Sequence, residues 1–170
     1  KALIAALKNH PYLNSSLETT PDGIQEIVLK IYYNIGIGVD TPEGLMVFVI
    51  KGAEQKSIAE LAKEIEEMAI KARERTIDLG ELKGGTFTVT NYGSIGGIHG
   101  TPIINPGECA ILGIGKILEL PRVIHGNIEV RHILPLSITF DHRITDGAEV
   151  ARFANVLIEH LEDPDLLLIE

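Results

Sequence analysis

Leu136-Ser137-Ile138-Thr139-Phe140-Asp141-His142-Arg143-Ile144-Thr145-Asp146-Gly147 is the stretch from which the fold can be read. Leu136, Ile138 and Phe140 alternate with Ser137, Thr139 and Asp141, the period of a strand with one buried face. Directly afterwards Val150, Phe153, Ala154, Leu157, Ile158 and Leu161 recur at helical spacing, so a helix begins near Asp146. His142 therefore falls on a tight strand-to-helix junction. The positive end of that helix disfavours an imidazolium and favours a neutral ring that can accept a proton. A local reading competes with this one. Asp146 followed by Glu149 fits an N-cap and capping box, and a lone histidine at a strand end is usually structural or simply exposed.

Working outward, Ile128 to Asp141 reads as one strand that delivers His142. Before it, Cys109 to Ile117 reads as a long strand, and Pro121 to Asn127 contains a turn at Gly126. Thr86 to Thr90 alternates as a strand with Thr88 and Thr90 on one face, which locally reads as polar and solvated. Asn91 to Gly100 is a glycine-rich loop, and Pro102 and Pro106 bracket a short extended piece. Ser57 to Asp78 is a long amphipathic helix opened by a Ser57/Glu60 capping box. Leu45 to Ile50 is almost continuously apolar, which predicts burial on both faces. Tyr33 to Val39 is a strand in which Gly36 and Gly38 mark close backbone approach. Asn14 to Leu29 reads as a hairpin turning at Thr20 to Gly23, after a short helix from Ala2 that Pro11 stops. At the other end the helix from Asp146 reaches Glu162, Pro164 ends it, and Leu166 to Ile169 is a last apolar segment. Strands outnumber helices and several are joined by hairpins. The class is α+β: a mixed sheet with the two main helices on it.

The bulk numbers agree with one domain. The chain has 170 residues, 45% hydrophobic and 23% charged, and no tryptophan. A net charge of -9 argues against nucleic acid and anionic membrane surfaces as partners. No apolar run reaches transmembrane length and no signal-peptide pattern is seen, so an intracellular, cytoplasmic home fits. Cys109 is the single cysteine, and its neighbours Ala110-Ile111-Leu112 point to a buried, inert thiol. The chain opens on Lys1, already inside an apolar-periodic segment, which reads as a piece of something longer. Gly93-Ser94-Ile95-Gly96-Gly97 is not followed by a helix, so it does not read as a dinucleotide loop. His99, His125 and His132 lack metal-ligand spacing, so no metal is expected.

Three stretches together resemble the catalytic domain of the dihydrolipoamide acyltransferases, the core component of the 2-oxoacid dehydrogenase complexes. They are Tyr33 to Leu45, Gly84 to Gly93, and Phe140 to Gly147 with its D-H-R-x-x-D-G pattern. Their order and spacing fit that family over essentially all 170 residues. The resemblance implies the two-layer fold shared with chloramphenicol acetyltransferase and transfer of an acyl group between dihydrolipoamide and coenzyme A. It implies His142 as general base, Thr90 as oxyanion donor from a neighbouring subunit, and Asp146 as the residue that fixes the His142 loop. Arg143 would form a structural ion pair. Asn91, Ser94, Leu45, Met46 and Val47 are candidates for lining the substrate channel. It further implies homotrimers assembling into a larger core, and partnership with the 2-oxoacid decarboxylase and dihydrolipoamide dehydrogenase subunits.

The sequence departs from the family pattern in three ways. Thr90 stands where serine is more usual, and Phe48 stands where proline is usual. The early part of the catalytic domain, the subunit-binding domain and the lipoyl domain are not seen in this chain, so the lipoyl group would come from a separate domain. Ser94-Ile95-Gly96-Gly97 leans toward the branched-chain members. The alternatives are a catalytically silent scaffold of the multienzyme complex and a small-molecule hydroxyl acyltransferase of the same fold. A eukaryotic source would put the chain in the mitochondrial matrix.

Overall fold

The computed structural model describes residues 1–168, so the Ile169 end of the last apolar segment lies outside the described residues. Among the described residues, three α-helices and nine strands carry the fold. Helix α1 (Ala2–Asn9) has Ala2 to Leu7 all buried, more than the one-sided face the sequence suggests. Strands β1 (Ser15–Thr19) and β2 (Gln25–Leu29) form the expected hairpin. Strands β3 (Ile35–Thr41) and β4 (Gly44–Ile50) form a second hairpin, with Thr41 opposite Gly44. Helix α2 (Ile58–Glu74) opens on the full Ser57/Glu60 capping box. It ends earlier than Asp78 because Arg75 takes a left-handed conformation and Thr76 N–H returns to Lys71 O.

Strands β5 (Phe87–Asn91) and β6 (Ala110–Ile114) follow, then β7 (Leu118–Ile124), β8 (Asn127–Ile133) and β9 (Leu136–Phe140). Helix α3 (Gly147–Glu162) closes the set. Two expectations are corrected here. The expected strand from Ile128 to Asp141 is two strands, broken at Leu134-Pro135, where Pro135 has no N–H to pair and its carbonyl accepts from Gly115 N–H at 2.8 Å. Strand β6 stops at Ile114, and the following residues turn into a β7–β8 ribbon that holds Pro121 opposite Val130. His125 and Gly126 both have positive φ, as the two central residues of a tight hairpin turn require.

The main sheet runs β4-β3-β5-β6-β9, with β3, β5 and β6 parallel and the outer pairs antiparallel. Alternation gives it two unlike faces. Ile35, Val39, Phe48, Ile50, Phe87, Ala110 and Leu112 join α1, α2 and α3 in one core cluster. The opposite face carries Gly36, Gly38, Val47, Thr88, Thr90 and Ile111 and is overlaid by the loop from Tyr92 to Asn105. Burial of Leu45–Ile50 on both faces is not observed. Strand β4 is the sheet edge, so Leu45 is 68% exposed while Phe48 is fully buried. The glycines of β3 do mark close approach. A Cβ on Gly36 would stand 2.5 Å from Thr88 Oγ1, and one on Gly38 3.0 Å from Thr90 Oγ1. The glycine loop has a similar cause, since a Cβ on Gly93 would meet the Gly115 backbone at 2.4 Å. No helix among the described residues is long and apolar enough to cross a membrane.

Candidate active site

His142 sits just beyond β9, where Asp141 N–H bonds Cys109 O and ends the pairing with β6. The ring is exposed and packs on Phe140, with centroids 5.4 Å apart. Asp141 holds Arg143 bidentately along one guanidinium edge, at 2.6 Å from Nη2 to Oδ2 and 2.9 Å from Nε to Oδ1. That pairing holds the Asp141 carboxyl below its usual range and fulfils the ion-pair role expected of Arg143. Asp146 caps α3 by accepting from Glu149 N–H at 2.9 Å. This backbone bond is the main cause of its lowered pKa, and His142 is among the minor ones. The capping box is only half formed. Glu149 does not return to Asp146, because its carboxylate accepts from Arg152 and pairs with His10 Nδ1 at 2.8 Å. The helix start near His142 thus carries a carboxylate, which opposes the positive helix end the sequence reading relied on. Tyr12, His142, Arg143, Asp146, Glu149 and Arg152 line a polar cavity of about 430 Å³.

Thr90 lies elsewhere in the same chain. Its register partners are Gly38 on β3 and Gly113 on β6, and Gly113 faces Ser137 on β9. His142 is two strands across and several residues along from that point. At ordinary strand spacing and rise this separates the Thr90 hydroxyl from the imidazole by roughly 15–20 Å. Thr90 instead stands between two cavities. One, about 450 Å³, is lined by Leu45, Val47, Thr88, Tyr92, His99 and Asn105. The other, about 540 Å³, adds Asp40, Arg73, Asn91, Ser94 and Ile95.

Of the channel candidates, Leu45, Val47, Asn91 and Ser94 line these cavities and Met46 does not. Alternation along β4 turns Met46 to the other face, where it packs against the core. Asn91 and Ser94 also bond to each other, with Asn91 Oδ1 accepting from Gly93 and Ser94 N–H. The solvated reading of the Thr88 face is corrected as well. Thr88 is fully buried and bonded to Glu108 and Asn105. Glu108 and Asn105 were missed by the sequence reading, because neither belongs to a recognisable motif and only Thr88's phase with Thr90 hinted at a polar wall. Cys109 is buried, and that burial pushes its thiol up to about 11.

The sequence profile described as 2-oxoacid dehydrogenases acyltransferase (catalytic domain) matches residues 1–169. The dihydrolipoyllysine-residue acetyltransferase component of the pyruvate dehydrogenase complex of Bacillus subtilis is 46% identical over the whole chain. The chain spans 38% of that relative's length. A solved structure of Azotobacter vinelandii dihydrolipoamide acetyltransferase, from work on a serine, a histidine and an asparagine in its catalytic mechanism, superposes with TM-score 0.92. It is 44% identical and the match covers 99% of this chain and 68% of that one. The cubic core of a pyruvate dehydrogenase multienzyme complex matches with TM-score 0.92 and 43% identity, over 99% and 68% of the two chains. A chloramphenicol acetyltransferase matches at TM-score 0.55 and 16% identity, over 92% and 72% of the two chains, a likeness of fold alone.

Proposed function

Because the chain belongs to the 2-oxoacid dehydrogenase acyltransferase catalytic-domain family, we propose that it carries the catalytic centre of a dihydrolipoamide acyltransferase. The acyl group is acetyl, supported by the acetyltransferase names of the curated relatives, in place of the branched-chain lean of Ser94 to Gly97. One observation carries the assignment of residues. Thr90, His142 and Asp146 stand at the same sequence intervals as the serine, histidine and asparagine studied in the Azotobacter vinelandii enzyme.

The chemistry needs two thiols, one free and one esterified. A thiol of pKa ~8.5 is mostly protonated at neutral pH, and its thiolate is the nucleophile. His142 takes the S–H proton of the coenzyme A thiol as its sulfur attacks the acetyl-dihydrolipoamide carbonyl. A new C–S bond forms and the carbonyl oxygen becomes an oxyanion, to which the Thr90 hydroxyl donates. Collapse breaks the old C–S bond, and the departing dihydrolipoamide sulfur takes the proton back from the imidazolium. No acyl-enzyme is formed. Asp146 acts on geometry: it fixes the first turn of α3 and so the loop that carries His142.

Thr90 and His142 are too far apart within one chain to act on the same carbonyl. The pairing therefore joins His142 of one subunit to Thr90 of the next in a trimer, and the similarity to a cubic core supports assembly into a larger particle. Coenzyme A and the lipoyl arm, brought by a lipoyl domain, approach that interface as substrates. The 2-oxoacid decarboxylase and dihydrolipoamide dehydrogenase would supply and reoxidise the lipoyl group.

The test is acetyl transfer from S-acetyl-dihydrolipoamide to coenzyme A by the parent, His142→Ala and Thr90→Val. Loss of the base is expected to lower kcat by about 10²–10⁴. Loss of the hydroxyl is expected to lower it by about 10²–10³. Undiminished turnover in His142→Ala would overturn the mechanism.

A further inference from the structure

Behind Thr90, on the same face of β5, runs a polar chain that the reaction above does not use. Thr88 Oγ1 donates to Glu108 Oε1 at 3.0 Å and accepts from Asn105 Nδ2 at 2.7 Å. Asn105 lines the cavity that Thr90 shares, and also a second cavity of about 320 Å³ with Val47, Lys83, Gly85 and Glu108. Glu108 Oε2 is buried and has no hydrogen-bond partner. Two glycines leave the room these side chains occupy. A Cβ on Gly85 would stand 2.8 Å from Glu108 Oε1, and one on Gly36 2.5 Å from Thr88 Oγ1.

A hydroxyl has one proton to give, so such a chain has a direction. With Glu108 ionised, Thr88 gives its proton to the carboxylate and takes one from Asn105 Nδ2. Asn105 Oδ1 is then left for a ligand in the cavity. With Glu108 protonated, the carboxyl O–H can donate to Thr88, and Thr88 can donate onward. Asn105 must then turn its carboxamide by half a revolution to offer Oδ1, and its NH2 is left for the ligand. An orphaned buried carboxylate oxygen costs free energy, which narrows the gap between the two arrangements. Burial pushes the Glu108 carboxyl up to about 7, so both arrangements are accessible at neutral pH. Lys83 is the other charged side chain lining that second cavity. The neighbouring titratable groups are the buried Cys109 thiol just before β6, Asp141 just after β9, which is committed to Arg143, and His99, which lines the cavity that Asn105 shares with Thr90.

We propose that Glu108 is a positioning residue: its protonation reverses the Glu108–Thr88–Asn105 hydrogen-bond chain and so decides whether Asn105 presents an acceptor or a donor to substrate beside Thr90. The proposal rests on the acyl-transfer reading of that cavity and names what the wall recognises, an arm bearing secondary amides. Such an arm offers N–H groups that an Asn105 acceptor can bind and that a donor cannot.

The experiment follows two readouts between pH 6 and 8.5 in the parent, Glu108→Gln and Thr88→Val. The first is KM and kcat for the coenzyme A thiol in acetyl transfer. The second is the side-chain amide resonance of ¹⁵N-labelled Asn105 without substrate. In the parent, KM is expected to rise several-fold as pH falls through about 7 while kcat follows its own profile, and the Asn105 signal is expected to move with the same midpoint. In Glu108→Gln, which keeps the shape and cannot ionise, both dependences should flatten. Thr88→Val should uncouple Asn105 from pH. A Glu108→Gln profile that retains the parent's KM midpoint overturns the proposal, as does an Asn105 signal in the parent that does not respond to pH. An Asn105 signal that titrates in a parent with no turnover would support the hydrogen-bond chain and remove the acyl-transfer reading, so the two can fail separately.

Discussion

At the scale of single residues, the wall behind Thr90 depends as much on missing atoms as on present ones. Gly36→Ala would push a methyl group against Thr88 Oγ1 and Val47 in a packed sheet. It is expected to destabilise by about 1–3 kcal/mol, read as a lower urea midpoint at unchanged slope. Glu108 carries a pH signature of its own. Its folded pKa of about 7 lies above the ordinary 4.5, so the folded state holds the proton more tightly. Its contribution to stability is full below the unfolded value and is lost as pH rises through the folded value. Between about pH 4.5 and 7 the parent should therefore lose on the order of 2–3 kcal/mol relative to Glu108→Gln, measured by denaturation at several pH values. Part of this wall was legible in the sequence, because strand alternation puts Thr88 in phase with Thr90. Glu108 was not, since a lone carboxylate ahead of an apolar strand reads as ordinary and only the fold brings it under Thr88.

At the scale of elements, the strand-to-helix junction was read correctly and the strand leading to it was not. Ile128, Val130 and Leu134 share one alternation phase with Leu136, Ile138 and Phe140, so periodicity runs through the break and only Pro135 marks it. The cap of α3 was legible from Asp146, and the Glu149–Arg152 pair is an ordinary i,i+3 helix pair, while the contact of Glu149 with His10 depends on the docking of α1 against α3 and has no local signal. Asp146→Ala removes the acceptor for Glu149 N–H and is expected to lower Tm by about 2–4 °C. Asp146→Asn keeps the acceptor and should leave Tm near the parent's at neutral pH. Because the folded pKa of Asp146 is depressed, its contribution is present above the unfolded value and is lost as pH falls through the folded one. The asparagine variant should lack that acid-side loss, which thermal melts at successively lower pH would reveal.

At the scale of the whole molecule, the separation of Thr90 from His142 turns subunit pairing into a measurable quantity. His142→Ala and Thr90→Val are each expected to be nearly inactive alone. Coexpressed in equal amounts, they should recover about a quarter of parental activity, since that share of randomly paired interfaces in a closed ring joins an intact His142 to an intact Thr90. No recovery would place both groups in one subunit's own site. The fold class could be read ahead of the structure because it follows from periodicity, while the split of the β7–β8 ribbon from the main sheet could not. The distance between Thr90 and His142 could not, because nothing local in either stretch records how far apart the fold sets them; a site shared between subunits was expected only from the family resemblance.

The buried Cys109 thiol has a practical consequence. A chain acting on thioesters, as proposed above, would be exposed to transacylation onto any thiolate of its own, yet a thiol pushed up to about 11 is ionised at only about one part in 10⁴ at neutral pH and is shut away from solvent as well. It is therefore silent toward acyl donors and toward maleimides alike. A reporter cysteine introduced on the exposed β7–β8 ribbon would be the one site a fluorophore could label, and energy transfer between such ribbons could follow assembly in real time without first removing the native thiol.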